Sequence, residues 1–187
     1  MAVLDTVFVQ GLQALYGAHR LGAAQANAAR RSAASPKLRS LLAEGSHTSR
    51  RQAHRLAKVF RGMGLRPTVR ESPAMEGIRD ANVAMAAAAP GPVARDLAHI
   101  AASQLALHHY GASYGTLREY ARAIGNRKAA KLLDRGLVET KRADRKYTVM
   151  ARRLIDDRNS GHSVLRAVAV LGSLAGGIAL VRQLPRT

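Results

Sequence analysis

The stretch SPKLRSLLAEGSHTSRRQAHRLAKVFRGMGLRP, residues 35–67, decides the fold. Ser35 followed by Pro36 reads as a helix start, because a serine hydroxyl caps the first free amides and proline tolerates the first turn. Gly64 and Pro67 read as the stop. Between them the chain predicts one helix from Pro36 to Met63. Steps of three and four select one face: Leu38, Leu42, Gly45, Ser49, Gln52, Leu56, Val59 and Met63. The ends of that stripe are apolar, and its middle is small or polar.

The flanking segments carry the same period. A first helix is predicted from Ala2 to Arg31, with Leu4, Phe8, Leu12 and Leu15 on one face. One further step of four reaches His19, which spacing therefore points inward. After Met63 a loop over 65–75 holds Pro67 and Pro73, and a short helix follows from Glu76 to Ala89. Ala89-Pro90-Gly91-Pro92 breaks the chain again. A third long helix runs from Val93 to Ile124, with Leu97, Ile100, Gln104, Leu107, Gly111, Tyr114, Leu117 and Ala121 inward. Gly125 stops it and Asn126 caps a fourth, Arg127 to Asp157, whose stripe is Leu133, Leu137, Thr140, Asp144, Tyr147, Ala151 and Leu154. The third and fourth helices share a minimal turn, whereas about thirty residues join the second to the third. That pattern predicts an all-α, ferritin-like four-helix bundle with a long crossover containing a short fifth helix.

Composition agrees with helices. Thirty-six of the 187 residues are alanine, there is no Trp and there are two Phe. The absence of Cys excludes a disulfide scaffold, thiolate zinc sites and a cysteine nucleophile. Thirty Lys and Arg against twelve Asp and Glu leave a net charge of +18, which points to nucleic acid, anionic lipid or an acidic protein as partner. No zinc finger, basic-region heptad array or aromatic RNA-binding segment accompanies the charge. The densest arginines are Arg50, Arg51, Arg55 and Arg61 on the second helix, and Arg142, Arg145, Arg152 and Arg153 on the fourth. No secretory pattern opens the chain, so the expected location is cytoplasmic.

Residues 158–187 differ from the bundle of residues 1–157. Arg158-Asn159-Ser160-Gly161 reads as a linker, and residues 167–181 are uncharged. Two readings of this tail stand side by side: an apolar helix of small residues docked on protein, or a membrane contact through residues 163–181.

Several short motifs recur in order along the chain. They are Leu12-x-x-Leu15-Tyr16-x-Ala18, Val59-Phe60 with the Gly-x-x-Pro that follows, Ala74-Met75-Glu76-Gly77, Tyr114-Gly115-Thr116-Leu117-Arg118, and Ala129-Ala130-Lys131-Leu132-Leu133. Together they resemble the YciE/YciF-type bacterial ferritin-like family, a stress-associated group, over about residues 3–155. The resemblance implies a four-helix bundle, a homodimer and two metal ions held between the long helices by Glu side chains with His or Asp.

Carried onto this chain, that ligand set is largely substituted. A family Glu corresponds to His19, and an acidic pair to His47 and Thr48. A Glu-His-Tyr-Glu run corresponds to Leu107-His108-His109-Tyr110. The acidic run of the last helix leaves Glu139, followed by Asp144. The candidate ligand positions are thus His19, His47, Glu139 and Asp144. His19 and Asp144 are expected to face one another as a buried polar pair. The reading is a non-catalytic scaffold without its di-iron centre, not an enzyme, needing no cofactor and using its arginines for an anionic partner. Two alternatives stand beside it: a metalloprotein holding one transition metal ion through His19, Asp144 and His47 or His108, and a bundle tethered to a membrane by its tail.

Overall fold

A computed structural model of the chain describes the backbone of residues 3–181 and the side chains of residues 3–159. Among the described residues there are five helices and no strand: α1 Val3–Ser32, α2 Pro36–Gly62, α3 Pro73–Ala87, α4 Pro92–Ala123 and α5 Arg127–Val181. The ends form for the reasons the sequence supplies. The Ser35 hydroxyl accepts the Leu38 amide at 3.3 Å, and the Asn126 side chain accepts the Ala129 amide at 3.0 Å. Gly64 and Gly125 take φ of 72° and 75°, left-handed turns that suit glycine. α3 begins before Glu76 because Pro73 takes a first-turn position behind Ser72.

The four long helices contribute one core. Phe8, Leu12 and Leu15 of α1 meet Leu56, Val59 and Phe60 of α2, Tyr114, Leu117 and Ala121 of α4, and Leu133 and Leu137 of α5. Met75 of α3 seals the same cluster. Each large apolar side chain removed from water contributes about 1.5–3 kcal/mol, so this stripe outweighs helix propensity in holding the bundle. The crossover is tied to α1: the Arg70 amide donates to the Gln13 carbonyl at 3.3 Å, and the Gln13 amide group donates to the Thr68 hydroxyl at 2.7 Å. Gly17 permits this approach, since a Cβ there would lie 2.3 Å from the Arg70 carbonyl oxygen.

A second tie closes the opposite end. Asp96 of α4 is buried, and its two carboxylate oxygens accept the Ala34 and Ser35 amides at 2.8 Å each. It thereby satisfies the turn between α1 and α2. Beside it His99 is buried between Ser32 at 2.9 Å and Asn82 at 3.1 Å.

α5 departs from expectation. The linker predicted at residues 158–161 is helical backbone. A lone glycine costs a helix about 1 kcal/mol and does not end it without a left-handed turn. The chain divides into two compact units, residues 1–150 and 151–187. Among the described residues no helix is long and apolar enough to cross a membrane. The side chains of residues 163–181, on which the predicted membrane contact rests, lie outside the described residues.

Candidate functional site

The polar middle of the helical stripes lines a partly open cavity of about 80 Å³. His19 of α1, Ser49 and Gln52 of α2, Tyr110 of α4, and Thr140 and Tyr147 of α5 contribute its polar wall. The His19 ring is 1% exposed and stacks on Tyr110, with centroids 4.0 Å apart. Burial, aided by the neighbouring His109 and Arg55, lowers its pKa to about 3, so the ring is neutral at pH 7.

A chain of hydrogen bonds sets its tautomer. The Arg55 guanidinium grips Glu139 at 2.7 and 3.1 Å. Burial pushes the Glu139 carboxyl up, but Arg55 outweighs it and the net shift is downward. Glu139 is therefore an acceptor, and the Gln52 Nε2 amide donates to it at 3.3 Å. That turns Gln52 Oε1 toward Tyr114, whose hydroxyl donates to it at 2.8 Å. With its one proton committed, the Tyr114 oxygen can only accept from His19 Nε2, 2.9 Å away. His19 thus carries its proton on Nε2 and leaves Nδ1 as a bare acceptor.

The expected His19–Asp144 pair is not formed. The His19 contact is Tyr114, and His19 Nδ1 has no hydrogen-bond partner among the described residues. Asp144 meets Gln104 at 3.4 Å and His108 at 3.5 Å. Thr140 and Tyr147, one turn to either side, hold the inward positions of α5 instead, and the Asp144 side chain is 29% exposed. His47 is exposed, because α2 turns Ser46 and Ser49 inward. The four ligand candidates therefore do not converge. Among the described residues no three of His, Cys, Asp or Glu are grouped to hold an ion. The donors facing the cavity are hydroxyls, amides and uncharged rings, a set that does not suit two divalent cations.

Of the arginines singled out, Arg50, Arg51, Arg61, Arg142, Arg145, Arg152 and Arg153 are exposed. Arg55 is not a free surface cation, being half-buried and committed to Glu139. An open groove of about 710 Å³ runs between α1 and α2, walled by Arg20, Arg31, Arg50 and Arg61 over a floor that includes Ala53 and Ala57. No acidic residue lines it. Arg20 and Arg31 were legible: Arg20, Ala24, Asn27 and Arg31 repeat at four, three and four, a second stripe beside the apolar one.

The family described as "Domain of unknown function (DUF892)" matches residues 3–159. The chain belongs to this family. A 79-residue segment is 48% identical to Protein YciF of Escherichia coli strain K12, covering 42% of this chain and 47% of that protein, so the match spans about half the length of that relative. The crystal structure of the E. coli stress protein YciF superposes with a TM-score of 0.79 and 30% identity, covering 83% of this chain and 99% of that one. The structure of YcfI from Rhodopseudomonas palustris superposes with a TM-score of 0.76 at 24% identity, covering 79% and 94%, a likeness of fold. DUF892 membership and the YciF superposition bear out the YciE/YciF-type resemblance and the helical bundle.

Proposed function

We propose that this DUF892 protein is a non-catalytic, stress-associated scaffold whose bundle centre no longer holds a metal pair and whose arginine surface meets an anionic partner. The stress association rests on likeness to E. coli YciF. The observation that carries the reading is the electrically neutral centre: the cavity wall has no carboxylate, and Glu139, beside it, is neutralised by Arg55. Two divalent ions would bring a charge of about +4 into an interior with nothing to balance it. The groove between α1 and α2 is where an anion would seat, because its four guanidiniums have no acidic neighbour in the wall.

Metal analysis of full-length, untagged protein after exposure to ferrous iron or zinc tests the first half. Well below one ion per chain is expected, and two ions per chain overturns it. Fluorescence anisotropy with duplex DNA, and flotation with phosphatidylglycerol vesicles, tests the second. Binding that weakens steeply between about 50 and 200 mM salt is expected for at least one of them. Absence of binding to either at the lower salt removes nucleic acid and lipid and leaves an acidic protein.

A further inference from the structure

Two residues that line the central cavity each carry a buried polar atom with no hydrogen-bond partner among the described residues: Nδ1 of His19 and Oγ1 of Thr140. Their residues are 1% and 3% exposed. Buried polar groups are almost always paired, so two orphans on residues that line one space point to a missing partner. The hydrogen-bond chain from Glu139 makes Nδ1 an acceptor, so that partner brings an O–H or N–H. The Thr140 hydroxyl can accept or donate.

Charge narrows the class. The cavity wall holds no carboxylate to receive a cation, and burial holds both imidazoles that line it, His19 and His99, below the ordinary histidine pKa, so an anion finds no countercharge there. Between its polar members the wall carries apolar residues, small ones such as Gly22, Ala26, Ala106 and Ala143 and the larger Ile78 and Leu107. At about 80 Å³ the space exceeds the ~10–15 Å³ that one water needs and falls short of the ~150 Å³ cavity that holds benzene.

We propose that the bundle centre is a binding site for a small uncharged alcohol, its hydroxyl bonded to His19 Nδ1 and Thr140 Oγ1 and its short aliphatic part lying along the alanine wall. His19 lines both this cavity and the arginine groove, whereas Thr140 lines the cavity and not the groove.

Butan-1-ol and diethyl ether are isomers that differ in the donor, which makes them a matched pair of probes. With full-length protein, butan-1-ol is expected to move the His19 Nδ1 nitrogen resonance saturably in the millimolar range, and diethyl ether to bind at least about tenfold more weakly. Thr140→Val keeps the side chain's outline and removes an unpartnered hydroxyl, so it should fold and bind butan-1-ol several-fold less tightly. Ala102→Leu fills the cavity and should abolish the shift. Equal binding of the two isomers, a resonance unmoved up to the solubility of butan-1-ol, or a Thr140→Val variant that binds undiminished overturns the proposal.

Discussion

Acid should unfold this protein through one histidine more than any other, and His19→Gln should remove that sensitivity. The ordinary histidine pKa is 6.5, and burial lowers His19 to about 3 in the folded chain. Below pH 6.5 the unfolded chain therefore takes up a proton that the folded chain refuses. The folded state loses stability as pH falls from 6.5 toward 3, and above 6.5 the group contributes no pH dependence. Each pH unit in that window is worth about 1.4 kcal/mol, so between pH 7 and 4.5 the loss through His19 alone is about 2–3 kcal/mol. Glutamine places an amide nitrogen near the position of Nε2, retaining a donor for Tyr114 while titrating nowhere. Urea unfolding of both proteins at pH 7 and pH 4.5 gives the comparison. The variant starts lower at pH 7, because the stack on Tyr110 is lost, and should then fall less on acidification by that 2–3 kcal/mol. His99 and His109 are also held low by burial, but they remain in both proteins and cancel. Parallel losses in the two proteins would refute burial of a neutral imidazole at the bundle centre.

Three further outcomes follow from other contacts. Asp96→Ala strips two buried amides of a charged acceptor and should cost about 2–4 kcal/mol in urea unfolding. Gly136→Ala gains up to about 1 kcal/mol of helix propensity, yet its Cβ would sit 2.4 Å from a ring carbon of Tyr114. Overpacking of about 1–3 kcal/mol should win, and a lower melting temperature by circular dichroism checks it. A double-mutant cycle between Arg55→Met and Glu139→Gln should give a coupling of about 1–2 kcal/mol, between surface and fully buried pairs, as befits side chains 18% and 32% exposed.

The helices were legible because their signals are local. Ser35-Pro36, Gly64, Gly125 and Asn126 each act through their own backbone, and each does in the structure what its residue type predicts. The inward faces were legible for the same reason, since spacing alone carries them, and His19 and Thr140 lie where the stripes put them. Partner choice was not legible. Spacing put Asp144 and His19 on inward stripes, but Asp144 lies at the edge of its face between the buried Thr140 and Tyr147, and which side chain meets which depends on the rotation and relative height of two helices, which no residue announces. Gln104 reaches Asp144, and Tyr114 reaches His19. Asp96 and His99 escaped for a related reason: their partners, the Ala34 amide and Ser32, lie more than sixty residues away in sequence. The continuation of α5 through residues 158–161 shows the opposite failure. Polar residues and a glycine resemble a break, but only a left-handed glycine or a proline enforces one.

Glu139 shows how a carboxylate beside the bundle centre can act by orienting its neighbours rather than by lending charge. In a metal-binding bundle an acidic side chain on this helix contributes charge, and that contribution depends on its facing the centre unopposed. Here Arg55 cancels the charge, and what passes inward is direction. An acceptor-only carboxylate turns Gln52, Gln52 commits the Tyr114 proton, and Tyr114 selects the Nε2–H form of His19. Each link is fixed because each oxygen or nitrogen has one role left to play. A centre without clustered carboxylates has no mutual repulsion for a metal to offset, so it can stay folded with no ion present. In the same neutral centre, Nδ1 of His19 and the hydroxyl of Thr140 have no hydrogen-bond partner among the described residues. A wall of hydroxyls, amides and neutral rings thus suits an uncharged hydrogen-bond donor better than it suits a cation.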